Sequence, residues 1–474
     1  MSAQSHLLNK LLSFLIRHQF QCIPTLQIHA QLLTTGSFLH NNAGHRTSLM
    51  IFNTLLRHYS LGCHPQHAIH LYNCSSLQLS TDSFTFSFLL KACANMLCAQ
   101  GGIQFHGLTK KNGWESNNVY VQTALVNMYS ECGYLPEALK VFKEMTVRNS
   151  VTWNAMITGL TKWGDVDSAR WVFNKMPSPN VVSWTGMVDG FTRAGKPEMG
   201  LDFFRKMFVY TFRPTEVTVL AVIPAISNLR DLDVADSVHG YSRKVGIDSV
   251  DVRIPNSLID MYARCGSIPK SLQLFREIEQ DNRANIVSWT SIISAYAMHG
   301  LSKQAVDLFR KLEKEHEKRG NIKPNGITIL SVLNACSHGG LVEEGLEIFS
   351  STLDKYGVQL ETKHHGCIVD MLGRAGRLEE AEKVILGMNV DGVNVVLWRT
   401  LMGCCNVHGD VEMGERVMKK IMELEKGYGG DYVILSNVLT SVGRFRDAQR
   451  IREHIDDRQL LKIPGRSSVA VSLL

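Results

Sequence analysis

Several chemical signatures are missing from this chain of 474 residues. It has eleven cysteines but no CxxC, and none of its 18 histidines begins an HxE, so the signature of zinc-dependent nucleobase deaminases is absent. It also lacks the GxxxxGK[ST] loop that cradles phosphates and the GxSxG turn that presents a nucleophilic serine. We therefore predict a protein that is not an enzyme, with no catalytic residue, no metal and no cofactor.

Acidic residues are missing from the first 81 positions, which contain Lys10, Arg17, Arg46 and Arg57 and no Asp or Glu. This segment supplies +4 of the net charge of +6, so 46 basic and 44 acidic side chains remain for the rest. That near neutrality argues against binding nucleic acid mainly by phosphate neutralisation. The acid-free, leucine-rich start is similar to an organellar presequence. No apolar run is long enough to cross a membrane, so we predict no membrane partner.

A phrase recurs along the chain, as SVTWNAMITGL at residues 150–160, VVSWTGMVDGF at 181–191 and IVSWTSIISAY at 286–296. Weaker copies occur elsewhere at spacings of 31 to 40 residues, the range of helical solenoid repeats. The fifth residues of successive phrases are Asn53, Ser87, Thr123, Asn154, Thr185, Leu220, Asn256, Thr290, Leu330, Gly366 and Arg399. One small unit is therefore predicted to stack many times.

Each repeat is predicted to contain two helices. In the repeat at residues 150–180, helical spacing of apolar residues covers 153–162 and 166–176, with a break at Gly164 and Asp165. Pro177 closes the repeat, because proline cannot continue a helix. Such a pair buries its apolar faces only against neighbouring pairs. We therefore predict an all-α fold, an α-α superhelix of helical hairpins with a concave groove.

The cysteines and two of the histidines follow the repeat. Cys132 and Cys265 fall fourteenth in short repeats, and Cys93 and Cys336 fall eleventh in long ones. A residue that recurs with a structural repeat is most simply a small buried hydrophobe. His106 and His239 both fall at position 24 of long repeats, a regularity that favours a structural role over a catalytic one.

The sequence resembles plant pentatricopeptide repeat proteins of the class that alternates standard, long and short repeats. FTFSFLLKAC at residues 84–93 and ILSVLNACSHGGLVEEG at 329–345 are similar to the long repeats of that class. CIVDMLGRAGRLEEAEKVI at 367–385 is similar to its last short repeat. WRTLMGCCNVHGDVEMGE at 398–415 and YVILSNVLTSVGRFRDAQRIR at 432–452 resemble the two motifs of its C-terminal E-type extension. The resemblance includes no deaminase domain, in agreement with the missing HxE and CxxC.

The resemblance implies a division of the chain. Residues 1–48 form a presequence-like segment and a partial repeat, 49–394 an array of ten repeats, 395–465 the extension and 466–474 a tail. The ten repeats are 49–82, 83–118, 119–149, 150–180, 181–215, 216–251, 252–285, 286–325, 326–361 and 362–394. The motif QIHA at residues 27–30 resembles the second helix of a long repeat, and the short repeat expected before residue 49 is almost wholly missing. Where the family usually has PG followed by Cys-Ser-Trp, this chain has PGRSS at 464–468.

The resemblance also implies that the array binds single-stranded RNA, one base per repeat, through the fifth and last residues of each repeat. These pairs are Asn53/Asp82, Ser87/Asn118, Thr123/Asn149, Asn154/Asn180, Thr185/Thr215, Asn256/Asn285 and Thr290/Asn325. The family code implies the site 5′-U-A-A-Y-R-n-Y-A-n-n-3′. The pairs Leu220/Asp251, Leu330/Glu361 and Gly366/Asn394 do not match the code. Second residues such as Val151, Val182 and Val287 would sandwich the bases. The alternative is that Asn and Thr only cap or solvate the first helices.

The function implied is site recognition for organellar C-to-U RNA editing, in the mitochondrion or alternatively the chloroplast. A deaminase would be supplied in trans by a DYW-type pentatricopeptide repeat protein, with multiple organellar RNA editing factor proteins as further partners. Two alternatives predict different behaviour. A splicing or stability factor would change transcripts without changing editing, and a protein-binding scaffold would show no sequence-dependent RNA binding.

Overall fold

The computed structural model describes residues 10, 12–15, 22–34, 45–62, 64–75, 81–114, 118–320, 322–388, 394–425 and 428–457. The predicted presequence-like segment is thus described only in part, and the PGRSS motif and the predicted tail lie outside the described residues. Throughout the described ranges the regular structure is helical, with no extended strand. The all-α prediction is confirmed.

Apart from one helix of four residues, the helices alternate along the chain as first and second members of hairpins. Their bounds are α1 (Cys22–Thr34), α2 (His45–Leu61), α3 (Gln66–Ser75), α4 (Ser83–Asn95), α5 (Ala99–Lys111), α6 (Val119–Glu131), α7 (Leu135–Glu144), α8 (Ser150–Lys162), α9 (Val166–Lys175), α10 (Val181–Arg193), α11 (Pro197–Val209), α12 (Glu216–Leu229), α13 (Leu232–Val245), α14 (Ile247–Val250), α15 (Arg253–Arg264), α16 (Ile268–Gln280), α17 (Ile286–Met298), α18 (Ser302–Arg319), α19 (Gly326–Gly339), α20 (Val342–Tyr356), α21 (Thr362–Arg374), α22 (Leu378–Leu386), α23 (Val395–His408), α24 (Val411–Leu424), α25 (Gly429–Ser441) and α26 (Phe445–Asp457). The chain divides into two compact bodies, one ending at Leu229 and the other beginning at Arg230.

The predicted hairpin at residues 150–180 shows how local sequence sets these bounds. Asn149 caps α8 by accepting a hydrogen bond from the backbone N–H of Thr152 at 2.9 Å. The chain leaves α8 through Gly164, whose φ of 80° lies in the left-handed region that glycine tolerates best. Asp165 then caps α9 through the backbone N–H of Ser168. The predicted break and both predicted helices are confirmed.

Aromatic residues join one hairpin to the next. A Phe on a second helix meets the Trp at position four of the following first helix in an edge-to-face contact. The ring centroids are 4.9 Å apart for Phe142–Trp153, 4.8 Å for Phe173–Trp184 and 4.9 Å for Phe275–Trp289. All six side chains are buried, and each contributes about 2 kcal/mol through the apolar surface it removes from water. The core therefore lies between hairpins, as a solenoid requires.

The recurring histidines form a second joint between repeats. The Nδ1 atoms of His106 and His239 lie 2.7 and 2.8 Å from the hydroxyl oxygens of Tyr129 and Tyr262, each on the first helix of the next repeat. His29 in α1 makes the same bond to Tyr59 at 2.8 Å. This third copy supports the prediction that QIHA belongs to the second helix of a long repeat. The structural interpretation of these histidines agrees with all three contacts.

The joint at His239 predicts a dependence of stability on pH. Burial, reinforced by nearby Arg243, holds the pKa of His239 below its ordinary value of 6.5. The unfolded chain therefore takes up this proton first, so the free energy of unfolding falls as the pH drops below about 6.5. Replacing His239 by Phe should reduce the loss of melting temperature between pH 7.5 and 5.5, because Phe cannot take up the proton. Phe349 already occupies this position in the next long repeat, and Tyr262 keeps its bond to Asp236. An unchanged loss of melting temperature would show that His239 does not contribute to the destabilisation by acid.

The cysteine prediction holds for two of four residues. Cys93 and Cys336 are fully buried, and burial raises the pKa of each thiol to about 12. Cys132 and Cys265 instead are half-buried C-caps of α6 and α15, where the helix ends and solvent reaches the side chain. Among the described residues, no group of His, Cys, Asp and Glu is arranged to hold a metal ion. No described helix has the length and apolarity needed to span a bilayer.

Candidate nucleic-acid interface

In each of the two bodies, a row of exposed apolar side chains marks one edge of the first helices. The three predicted sandwich residues belong to it, since Val151 and Val182 are each 60% exposed and Val287 is 52% exposed. Other second-position residues of the same row, all more than half exposed, are Met50, Phe84, Tyr120, Val217, Ile327 and Val396. Apolar side chains facing water at one fixed position of successive repeats indicate a surface that awaits a flat apolar partner.

The last residue of a predicted pair caps the next first helix. Asn149, Asn180, Asn285 and Asn325 each accept a backbone N–H of the following helix at 2.9 to 3.1 Å through Oδ1. Asp82 does the same through one carboxylate oxygen at 2.9 Å. Capping is therefore one role of these residues. Capping uses only one polar atom of each, however, and leaves the amide Nδ2 of the asparagines and Oδ2 of Asp82 for another partner.

Three predicted pairs touch directly, and in each the fifth residue is Asn. Its Nδ2 donates to the capping oxygen of the last residue, at 3.0 Å in Asn53–Asp82, 3.5 Å in Asn154–Asn180 and 3.3 Å in Asn256–Asn285. Asn256 is 5% exposed, and the Oδ1 of Asn154 is buried with no partner in the described structure. The hydrogen bonds within each pair restrict the rotamers of these asparagine side chains.

Three further pairs, in which the fifth residue is Thr, are joined through a second hydroxyl. Thr123 lies 2.6 Å from the hydroxyl of Thr152, which donates to Oδ1 of Asn149 at 2.9 Å. Thr290 reaches Asn325 in the same way through the next repeat's third residue, at 2.7 and 3.1 Å. Thr185 and Thr215 are bridged likewise, at 2.7 and 3.2 Å. Six of the seven predicted pairs are thus assembled.

The seventh predicted pair is not assembled. The hydroxyl of Ser87 donates back to the carbonyl of Ser83 at 2.8 Å, while Asn118 caps α6. Among the pairs that do not match the code, Gly366 has no side chain to offer and Asn394 caps α23. Ser87 and Asn118 are therefore the one predicted pair whose members the structure does not bring into contact, directly or through a bridge.

A cleft of about 450 Å³ lies at the first pair. It is lined by Asn53 and Asp82 at its polar end and by the exposed second-position residues Met50 and Phe84 of two successive repeats. Arg57 also borders it. Two apolar side chains flanking a polar pair suit a planar heterocycle, which can stack between them and present its edge to the pair.

The sequence analysis missed one class of residue in this interface. The third residue of the following repeat carries a buried hydroxyl at all six assembled pairs, namely Thr85, Thr152, Ser183, Thr218, Ser288 and Thr328. A detectable signal was present, because each stands three positions after an Asn, Asp or Thr, the spacing of a capping box. Four of these boxes are reciprocal in the structure, at Asp82, Asn180, Asn285 and Asn325.

In the extension, an ion pair joins the fifth residue of one repeat to the third residue of the next first helix. Arg399 at position five donates from Nε and Nη2 to both carboxylate oxygens of Asp431, each at 2.8 Å, and also pairs with Glu425 at 3.1 Å. Its guanidinium lies 4.8 Å from the ring centroid of Tyr428. The Asp431 side chain is only 4% exposed. The Arg399 guanidinium and both oxygens of Asp431 are thus committed within the protein, so we place the end of the interface of polar pairs before residue 395.

The described chain is, by this geometry, a helical-repeat protein whose first helices present paired polar side chains beside exposed apolar ones. Seven segments match the pentatricopeptide repeat model, at residues 123–150, 151–181, 182–210, 254–283, 287–316, 327–355 and 364–393, and residues 408–470 match the E motif. A mitochondrial pentatricopeptide repeat-containing protein of Arabidopsis thaliana is 47% identical, over 94% of this chain and 89% of its own length. The chain belongs to the pentatricopeptide repeat family.

Other members of the family are also similar. A chloroplastic pentatricopeptide repeat-containing protein of Arabidopsis thaliana is 36% identical, over 90% of this chain and 64% of its own length. Among solved structures, the pentatricopeptide repeat protein PPR10 from maize matches with a TM-score of 0.61 at 17% identity, over 92% of this chain and 67% of that chain. The fold is therefore the helical solenoid of this family, and the resemblance stated from the sequence is confirmed.

Proposed function

We propose that this protein binds single-stranded RNA and recognises one base with each of its assembled pairs. The observation that carries the proposal is the recurrence of six polar pairs, each beside the exposed second-position row. A base stacked on an apolar side chain gains about 1–3 kcal/mol without regard to sequence. Its Watson–Crick edge then meets the pair, which supplies the selectivity. Membership of the pentatricopeptide repeat family adds support.

The caps explain how the last residue selects a base. Because Oδ1 of an asparagine cap accepts the backbone N–H, its Nδ2 offers a donor, which suits the ring nitrogen acceptors of adenine and cytosine. The free oxygen of Asp82 is an acceptor, which suits the N3–H of uracil. This agrees with U for Asn53/Asp82 and A for Thr123/Asn149 and Thr290/Asn325. It further favours cytosine over uracil at the pyrimidine positions of Asn154/Asn180 and Asn256/Asn285.

The biological role that we propose is recognition of a site for C-to-U editing of organellar RNA. The match to the E motif at residues 408–470 supports it, and so do relatives named as mitochondrial or chloroplastic. We propose the mitochondrion as its location, because the 47% identical relative is named as mitochondrial. A DYW-type deaminase protein and multiple organellar RNA editing factor proteins would supply the chemistry in trans.

RNA recognition is tested by gel shift with the predicted RNA and with the same RNA after exchange of purines and pyrimidines. We expect the predicted RNA to bind at least about 100-fold more tightly, because several mismatches that each leave buried polar groups unpaired cost ~1–3 kcal/mol apiece. Equal affinities for the two RNAs would contradict sequence recognition and favour a protein-binding scaffold.

The editing role is tested by sequencing organellar transcripts from a loss-of-function line. We expect at least one C-to-U site downstream of a match to the predicted RNA to lose conversion. Normal editing at every site together with lost or unspliced transcripts would replace this role by splicing or transcript stabilisation.

A further inference from the structure

Repeats with an assembled pair differ from the others in the third residue of the repeat that follows them. The six assembled pairs are all followed by a buried hydroxyl at this position, that of Thr85, Thr152, Ser183, Thr218, Ser288 or Thr328. The remaining four repeats are followed by residues without a hydroxyl, Val121, Ile254, His364 and Leu397, which are equally buried. Burial is the same in both groups, so the difference is chemical and not one of packing depth.

We propose that this hydroxyl is a positioning group, and that the base read by one repeat is decided partly by the third residue of the next repeat. This inference rests on the proposed RNA recognition. The hydroxyl is buried and contacts no base in the proposed arrangement. It acts on the fifth residue of the preceding repeat, as at Asn256, whose Oδ1 accepts a hydrogen bond from the hydroxyl of Ser288 at 2.6 Å.

The backbone fixes where this hydroxyl lies. The N–H of the capping residue donates to it at 3.2 Å in Asp82–Thr85, 2.8 Å in Asn180–Ser183 and 3.1 Å in Asn285–Ser288. A hydroxyl held by the main chain can in turn hold a neighbouring side chain in one rotamer, which lowers the entropy lost when a base binds. Valine at this position has the shape of threonine but offers neither donor nor acceptor, so the fifth residue of the preceding repeat loses this hydrogen bond.

The repeats differ in which residue the hydroxyl contacts. At Asn53, Thr123, Thr185, Asn256 and Thr290 the hydroxyl contacts the fifth residue directly. At Asn154 the Ser183 hydroxyl donates to the backbone oxygen of Asn180, and only the cap is held. The repeat of Ser87 and Asn118 is followed by Val121 and should discriminate weakly, which shortens the expected site to U-n-A-Y-R-n-Y-A.

The test uses the full chain with Thr152→Val and Thr152→Ser and RNAs that differ only at the third nucleotide. We expect the wild type and Thr152→Ser to prefer adenine there, and Thr152→Val to lose about tenfold of that preference while its preferences at the first and fifth nucleotides persist. Thr109→Val is the matched control, because it removes a buried hydroxyl that donates to the carbonyl of His106 and lies on a second helix, away from the interface.

Two results would overturn the inference. One is an unchanged preference for adenine in Thr152→Val, and the other is an equal weakening for all four bases, which would indicate a packing role. Either leaves the proposed function standing, whereas a wild type without base preference would remove the proposed function itself. The converse variant Val121→Thr should gain a preference at the second nucleotide, and a folded variant without that gain also counts against the positioning role.

Discussion

Asn180→Asp should reverse the base preference at the fourth nucleotide from cytosine to uracil. The cap survives this change, because an aspartate oxygen can accept the backbone N–H of Ser183 and the Nδ2 of Asn154 as Oδ1 of asparagine does. The group left to meet the base changes from a donor to an acceptor. Cytosine would then face the acceptor with its own N3 acceptor, while uracil would donate its N3–H.

The reversal should be large. Losing one hydrogen bond and leaving a buried group unpaired costs ~1–3 kcal/mol, so the ratio of the two dissociation constants should change by roughly 10- to 100-fold. It is measured with four RNAs that differ only at the fourth nucleotide. Asn394→Asp is the matched control, since Asn394 also caps a first helix but belongs to the repeat whose fifth residue is Gly366. Equal effects of both variants on all four RNAs would mean that the added charge acts nonspecifically and that Asn180 reads no base.

The architecture was predictable from the sequence because it depends on short-range information. Glycine at 164, a capping Asp165 and the 3.6-residue spacing of apolar residues together determine a hairpin of fixed length. Repetition multiplies this signal, so a weak indication in one repeat becomes strong over ten. The two helices of the hairpin at residues 150–180 and the break between them followed from it directly.

The state of each pair was less predictable, because it depends on a residue in another repeat. Ser87/Asn118 and Thr123/Asn149 have similar side chains, yet only the second is assembled, since Thr152 follows it and Val121 follows the first. Capping and reading were also treated as alternatives from the sequence. In the recognition that we propose, one side chain does both, as at Asn180, where Oδ1 caps the helix and Nδ2 remains available for a base.

Cys132 shows the same limit for burial. Its register within the repeat was found correctly, but register alone does not distinguish the last buried turn of a helix from the C-cap one residue beyond it. Cys93, three positions earlier in its own repeat, lies inside the helix and is fully buried. A shift of three residues is almost one helical turn, so the two sites share a face and differ only in their distance from the helix end.

Asp431→Ala should loosen the extension without affecting base recognition in the first body. The change leaves the Arg399 guanidinium, whose side chain is 25% exposed, with only Glu425 and the Tyr428 ring. Removing one partner of a mostly buried ion pair costs about 3 kcal/mol. Because repeat arrays open segment by segment, the effect should appear as amide hydrogen exchange about 100-fold faster in α25 and α26, with exchange in α2 to α9 unchanged.

Lys420→Gln supplies the control for this prediction, because it breaks the exposed pair with Glu423, which should contribute less than about 1 kcal/mol. The double change Arg399→Met with Asp431→Leu should restore slow exchange, since an apolar pair can replace a buried ion pair. If the extension recruits the deaminase, Asp431→Ala should keep the affinity for the predicted RNA and lose editing in the plant. Slow exchange in Asp431→Ala would show that Arg399 is held by its other partners, and loss of RNA affinity would mean that the extension also takes part in recognition.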